Sequence, residues 1–137
     1  LVDGEQDFAI LPLENTTAGS INESYDLLGK YELKIVGEEI LTIDHCLMTL
    51  EKSPLHRIKR IISHPQALLQ CSKFLETMNC SKEAFSNTAK AAEHIHKLQD
   101  PSLAAIASPQ AAESYGLHIL KSGITNQIKN YTRLIVV

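Results

Sequence analysis

Four short stretches gather hydroxyl and amide side chains where an apolar run gives way to an amphipathic pattern. They are residues 14–20 (ENTTAGS), 63–66 (SHPQ), 86–89 (SNTA) and 107–110 (ASPQ). A helix that starts at such a place presents unpaired backbone N–H groups and the positive end of its dipole. It can hold a carboxylate or a phosphate without any lysine. The competing reading of each stretch is a helix cap, worth about 1 kcal/mol. ENTTAGS and SHPQ carry more polar groups than a cap requires, and that excess points to a pocket for a small anionic molecule.

Other chemistries lack their residues. There is no G-x-S-x-G, no glycine-rich phosphate loop and no H-E-x-x-H. His94 and His96 lie two apart in a helical pattern, so they face different directions and make poor joint ligands. Cys46, Cys71 and Cys80 are odd in number and lack short pair spacing, which argues against a disulfide framework and against zinc. Cys46 and Cys71 sit in apolar patterns and read as reduced core thiols. No base stands beside Cys71 to make it a nucleophile. Neither a metal nor a cofactor is expected. The net charge is −3, and the densest basic cluster, HRIKR at 56–60, reads as a solvated flank, so no nucleic acid is expected. No segment approaches the roughly 18 apolar residues that span a bilayer, so no membrane partner is expected. The reduced thiols make the cytoplasm the expected compartment.

The elements that must position these groups follow from periodicity. A buried strand is predicted over 8–13 and a short helix over 20–28. Ser20 and Glu23 have capping-box spacing there, and Ile21, Tyr25 and Leu28 share one face. Residues 33–50 alternate imperfectly and are long for one strand, so a bend is predicted near Gly37 or Asp44. A strand follows at 58–62. Pro65 then opens a helix to about 78, with Leu68, Leu69, Phe74 and Leu75 on its apolar side. Residues 83–86 form a weak strand, 87–98 a helix and 103–107 a buried strand of small residues. Ser108-Pro109 starts a helix that ends at Gly116, and strands at 117–120 and 132–137 complete the chain. Alternating strands and helices indicate an α/β fold with a mainly parallel sheet. Ligands of such sheets bind beyond the carboxyl ends of the strands, where the four polar stretches stand. The chain opens LVDGEQ, without a methionine, and closes in the apolar run RLIVV. It reads as a piece of a longer protein.

In order along the chain, DFAILPLENTTAGSINESYDLL, LKIVGEEILTIDHCLM, ISHPQALLQCSKFL, NTAKAA, LAAIASPQAAESYGLHIL and NYTRLIVV resemble the prephenate dehydratases over essentially the whole length. The specific motifs are P-x-E-N-S/T-x-x-G, S-H-P-Q-A-L-x-Q-C and N-x-T-R. The resemblance implies an α/β fold like the type II periplasmic binding proteins, with two lobes enclosing a cleft. Residues 1–43 would be the C-terminal part of lobe one and a hinge strand. Residues 44–137 would be lobe two, including the returning Thr-Arg strand. The opening part of lobe one would be absent, and the 137 residues alone are expected to turn over weakly or not at all. The implied reaction is decarboxylation and dehydration of prephenate to phenylpyruvate in L-phenylalanine biosynthesis, with no cofactor. The implied assembly is a homo-oligomer of the full-length protein, with a chorismate mutase or a phenylalanine-binding ACT domain fused outside this chain.

By the same resemblance, Asn15, Gln70 and Thr132 form the catalytic group. Asn15 and Gln70 would orient the substrate and donate hydrogen bonds that strengthen as charge moves. Thr132 would donate to the leaving hydroxyl, as a positioned donor within about 3 Å rather than a group that titrates near neutrality. Arg133 either pairs with a substrate carboxylate bidentately or holds its strand through a salt bridge. Thr16, Ser20, Ser63, His64 and Thr88 are second-rank substrate-binding candidates, with His64 reading as a structural hydrogen-bonding residue ahead of an acid or base. Two positions depart from the family pattern: its T-R-F is Thr132-Arg133-Leu134 here, and its S-T-A is Asn87-Thr88-Ala89. Two rival functions share this fold: an arogenate dehydratase, and a non-catalytic small-anion-binding effector domain such as those of LysR-type regulators.

Overall fold

The computed structural model describes residues 1–17, 19–127 and 129–137. In chain order the elements are β1 (Ile10–Asn15), β2 (Gly19–Ser20), α1 (Asn22–Tyr31), β3 (Gly37–Thr42), β4 (Cys46–Thr49), β5 (Arg60–Ser63), α2 (Pro65–Gln70) and α3 (Ser72–Glu76). They continue as β6 (Ser81–Ala84), α4 (Thr88–Leu98), β7 (Leu103–Ala107), α5 (Pro109–Tyr115), β8 (His118–Lys121) and β9 (Tyr131–Val136). The chain forms two compact units: Leu1–Ile43 with Lys129–Val137, and Asp44–Ile128. The sequence placed the last strand with the second lobe. In the structure β9 belongs to the first unit, where it pairs with both β1 and β3.

The first unit is a four-stranded sheet in the order β2-β1-β9-β3, antiparallel at every pairing. A mainly parallel sheet was the expectation, but no helical crossover joins neighbouring strands here, and parallel pairing needs one. Pro12 has no N–H to offer the ladder. The β1–β9 register shifts between Pro12 and Glu14, and the extra residue, Leu13, is buried with Ile135 and Val137. Leu11, Leu28 and Leu33 pack on that cluster, so α1 covers this face of the sheet. The predicted capping box is absent. Ser20 is paired in extended conformation with Glu14, and α1 starts two residues later, behind Ile21, with no side-chain cap.

The second unit is a five-stranded sheet in the order β6-β5-β7-β4-β8. Strands β6, β5 and β7 are parallel, and β4 runs antiparallel to both its neighbours, β7 and β8. Strands β5 to β8 therefore share one direction, as their helical crossovers require, with β4 inserted against them. The long β pattern of 33–50 ends as two strands in two sheets, broken between Thr42 and Cys46. Every residue of β7 (LAAIA) and β4 (CLMT) is buried, as befits strands covered on both faces. Leu103, Ala105 and Ala107 meet α4 and α5 on one face, while Ala104 and Ile106 meet α2 and α3 on the other. The helix expected over 65–78 is two, broken at fully buried Cys71. The caps read from sequence are in place: His64 accepts from Gln66 N, Asn87 from Lys90 N and Ser108 from Ala111 N.

Candidate active site

In the first unit Asn15, the last residue of β1, stands opposite Thr132 on β9. Its Oδ1 accepts from Thr17 N at 2.9 Å. Its Nδ2 donates to Thr132 Oγ1 at 2.9 Å and to the Tyr131 carbonyl at 3.4 Å. A backbone N–H can only donate and a carbonyl can only accept, so both ends of the Asn15 amide are assigned by their partners. A hydroxyl has one proton and two lone pairs. With Asn15 donating into Oγ1, the Thr132 proton is directed to some other acceptor. Negative charge that grows on Oγ1 as this proton moves is met by the Asn15 N–H.

Thr16 braces this corner. Its hydroxyl donates to Asn130 Oδ1 at 2.9 Å and accepts from Tyr131 N at 3.1 Å. Asn130 is buried, and its carbonyl accepts from Ile43 N. Ser20, one strand away, is exposed.

Arg133 lies elsewhere. Successive strand residues point to opposite faces, so Arg133 shares the helix-covered face with Ile135, while Thr132 points away from it. The Arg133 guanidinium grips Glu38 of β3 with two bonds, Nε to Oε1 at 2.7 Å and Nη2 to Oε2 at 3.1 Å. That guanidinium holds the Glu38 carboxyl below the usual carboxylate range. The sheet backbone separates Arg133 from the Thr132 hydroxyl, and the salt-bridge alternative is the one this geometry displays.

In the second unit Gln70 ends α2, and its Oε1 is 3.0 Å from Nε2 of His45. Asn126 clasps the backbone around it. Asn126 N donates to the Gln70 carbonyl at 2.7 Å, its Nδ2 to the Leu69 carbonyl and to Ser72 Oγ, and its Oδ1 accepts from Lys73 N. These bonds hold the break between α2 and α3. Ser63 is fully buried and donates to the Ile106 carbonyl at 2.6 Å, tying β5 to β7. His64 Nδ1 caps α2 by accepting from Gln66 N at 3.2 Å. Thr88 is the first residue of α4 and is half-buried. The Cys71 thiol, next to Gln70, is pushed up to about 12, first by burial and further by the nearby Cys46 and Asp44. It stays protonated at neutral pH and cannot act as a nucleophile. Among the described residues no group of three or more His, Cys, Asp or Glu is placed to hold a metal ion. Nor is any helix long and apolar enough to cross a membrane.

The structure thus joins Asn15, Thr16 and Thr132 in one unit and sets Gln70 beside His45 in the other. Sequence reasoning passed over His45, Asn126 and Asn130. An ionisable residue inside the apolar run TIDHCLM was a usable signal for His45, and the N-x-T-R motif itself contains Asn130.

Mixed α/β sheets of this kind place the chain in the class of type II periplasmic-binding-protein-like folds. The family model for prephenate dehydratase matches residues 1–137, and the chain belongs to that family. It is 42% identical over 134 residues to the bifunctional chorismate mutase/prephenate dehydratase of Escherichia coli (strain K12), covering 97% of this chain and 35% of that protein. It is 46% identical over 132 residues to arogenate dehydratase/prephenate dehydratase 6, chloroplastic, of Arabidopsis thaliana, covering 95% of this chain and 32% of that protein. The crystal structure of prephenate dehydratase from Arthrobacter aurescens in complex with L-Phe superposes with a TM-score of 0.81 at 30% identity, over 98% of this chain and 46% of that one. The chain spans about a third of the length of these curated relatives and about half of the solved structure.

Proposed function

We propose that this chain is part of a prephenate dehydratase, converting prephenate to phenylpyruvate in the cytoplasm on the way to L-phenylalanine. The supporting observation is the Asn15–Thr132 hydrogen bond, in which the amide donates and leaves the hydroxyl its own proton to give. In the reaction the bond between the ring and its carboxylate breaks and CO2 leaves. The released electron pair enters the ring as the C–O bond opposite breaks, and the ring becomes aromatic. Thr132 hands its proton to the departing oxygen, which leaves as water, and Thr132 regains a proton from solvent. No oxidant or reductant is consumed, because the electrons of the broken C–C bond end in the ring.

Asn15 stabilises the charge that Thr132 takes on, and Gln70 is a second amide donor to the substrate. Ser20 and Thr88 are substrate-binding residues in this proposal. Thr16, Ser63 and His64 act through the bonds that hold β9, β7 and α2 in place. Arg133 is left to the Glu38 ion pair. The whole protein is proposed to be a homo-oligomer. A fused chorismate mutase domain has a precedent in the bifunctional relative's name.

Arogenate is the second substrate to weigh, because the Arabidopsis thaliana relative at 46% identity carries both names. Arogenate has an amine where prephenate has a ketone. The deciding experiment offers both compounds to the purified full-length protein, following phenylpyruvate from one and phenylalanine from the other. A higher kcat/KM on prephenate is the expected result. Failure of the folded protein to convert either compound overturns the proposal.

A further inference from the structure

His45 is an unusual residue to find where it is. It is 9% exposed, between Asp44 and the fully buried strand β4, and its Nδ1 is buried with no hydrogen-bond partner among the described residues. Its Nε2 meets Gln70 Oε1 at 3.0 Å. A histidine that satisfies only one of its two ring nitrogens carries a desolvation cost that an apolar residue of similar size would avoid.

The partner's identity fixes where the proton sits. If Nδ1 carried it, a buried N–H would lack an acceptor, and orphaned buried donors are rarer than orphaned acceptor lone pairs. With the proton on Nε2, the orphan is only a lone pair. Nε2–H then donates, Gln70 Oε1 accepts, and the Gln70 NH2 is the end that faces other acceptors.

The backbones of both partners are held by one loop. Ile124 N donates to the His45 carbonyl at 3.3 Å and Asn126 N to the Gln70 carbonyl at 2.7 Å. The imidazole therefore meets an amide whose main chain is already anchored.

We propose that His45 is a positioning residue for Gln70: its Nε2–H donates to Gln70 Oε1 and orients the amide so that the NH2 end is the donor offered to substrate. This inference rests on the proposal above that Gln70 acts on substrate.

The test uses the full-length protein and two independent readouts. The first is the 15N shift pattern of histidine-labelled protein, which reports the tautomer without any turnover. The expected pattern is that of the Nε2–H form at His45, and a proton resident on Nδ1 overturns the proposal. The second is a variant series. A glutamine amide nitrogen reaches the place of Nε2, whereas that of asparagine reaches only the place of Nδ1. His45→Gln should therefore keep kcat within a few-fold, while His45→Asn and His45→Leu should lose about tenfold or more, up to the ~10²-fold that a misplaced group costs. Rescue by Asn as good as by Gln, or a normal kcat in His45→Leu, overturns it.

In a Gln70→Ala background the His45 substitutions should have no further effect on kcat. Should Gln70→Ala itself turn over normally, the role given to Gln70 fails, while the tautomer readout still decides the His45–Gln70 geometry. If His45→Leu does not fold, the labelled wild-type protein carries the test alone.

Discussion

Asn15 Nδ2 donates to Thr132 Oγ1 at 2.9 Å across the β1–β9 ladder, joining residues 117 positions apart in the chain. The direction of that bond matters more than its length. A threonine that receives a hydrogen bond keeps its proton for another acceptor, and its oxygen is stabilised as that proton leaves.

Thr132→Ala should therefore lower kcat by ~10²–10³ with a much smaller change in KM, since the lost bond to the leaving group belongs mainly to the transition state. Thr132→Ser should retain much of the activity, because the hydroxyl survives and only a methyl is lost. Steady-state kinetics on the full-length protein check both. Near-normal kcat in Thr132→Ala with an intact fold would remove the proton donor from the mechanism.

Asn15→Asp separates donation from shape. An ionised aspartate can still accept from Thr17 N, so the turn after β1 is kept, but it cannot donate to Thr132. It should lose kcat as severely as Asn15→Ala, on the order of 10², with a circular dichroism spectrum like the wild type's. A substantially active Asn15→Asp enzyme would mean that the bond seen here is a strand brace alone.

Glu38→Gln tests the assignment of Arg133. The pair is solvent-accessible, with 42% and 45% of the two side chains exposed, so its loss should move the unfolding midpoint little. KM should also stay within about twofold of the wild type's if Arg133 serves only the sheet. A fall in KM of several-fold would show that Glu38 competes with a substrate carboxylate for the guanidinium, and Arg133 would return to the binding residues.

The Cys71 thiol sets an alkaline limit on stability. Its value is pushed from 9.0 up to about 12, mainly by burial. A raised folded-state value means the thiol form is favoured by folding. That contribution is complete below the thiol range of the unfolded chain and is lost as pH climbs through about 9 towards about 12. Urea midpoints should fall across that window, less steeply in Cys71→Ala. In the folded protein near pH 8 an alkylating reagent should label Cys80, which is half-buried, well before Cys71. Equal labelling rates would contradict the burial that raises the Cys71 thiol.

Much of the architecture was legible because it rests on interactions between residues a few positions apart. Ser108, Asn87 and His64 start their helices by bonding to backbone two or three residues ahead, and Pro65 and Pro109 open helices for the same local reason. The small apolar run 103–107 could only be a strand covered on both faces, and it is one. The ordered motifs that resemble the prephenate dehydratases were likewise present in the chain as written.

The tertiary structure decided what depends on distant partners. β9 joins β1 and β3 rather than a strand of the second unit, since sheet pairing is chosen by hydrogen-bonding edges that no sequence window contains. Ser20 gives up its cap because Glu14 pairs with it. The helix after Pro65 breaks at Cys71, where Asn126, 55 residues on, takes up the bonds around the break. Thr132 and Arg133, adjacent in sequence and alike in promise, separate to opposite faces because a strand turns each successive side chain over. On which face of the sheet each of the two lies was a question of sheet register and covering helix, and those are properties of the folded chain.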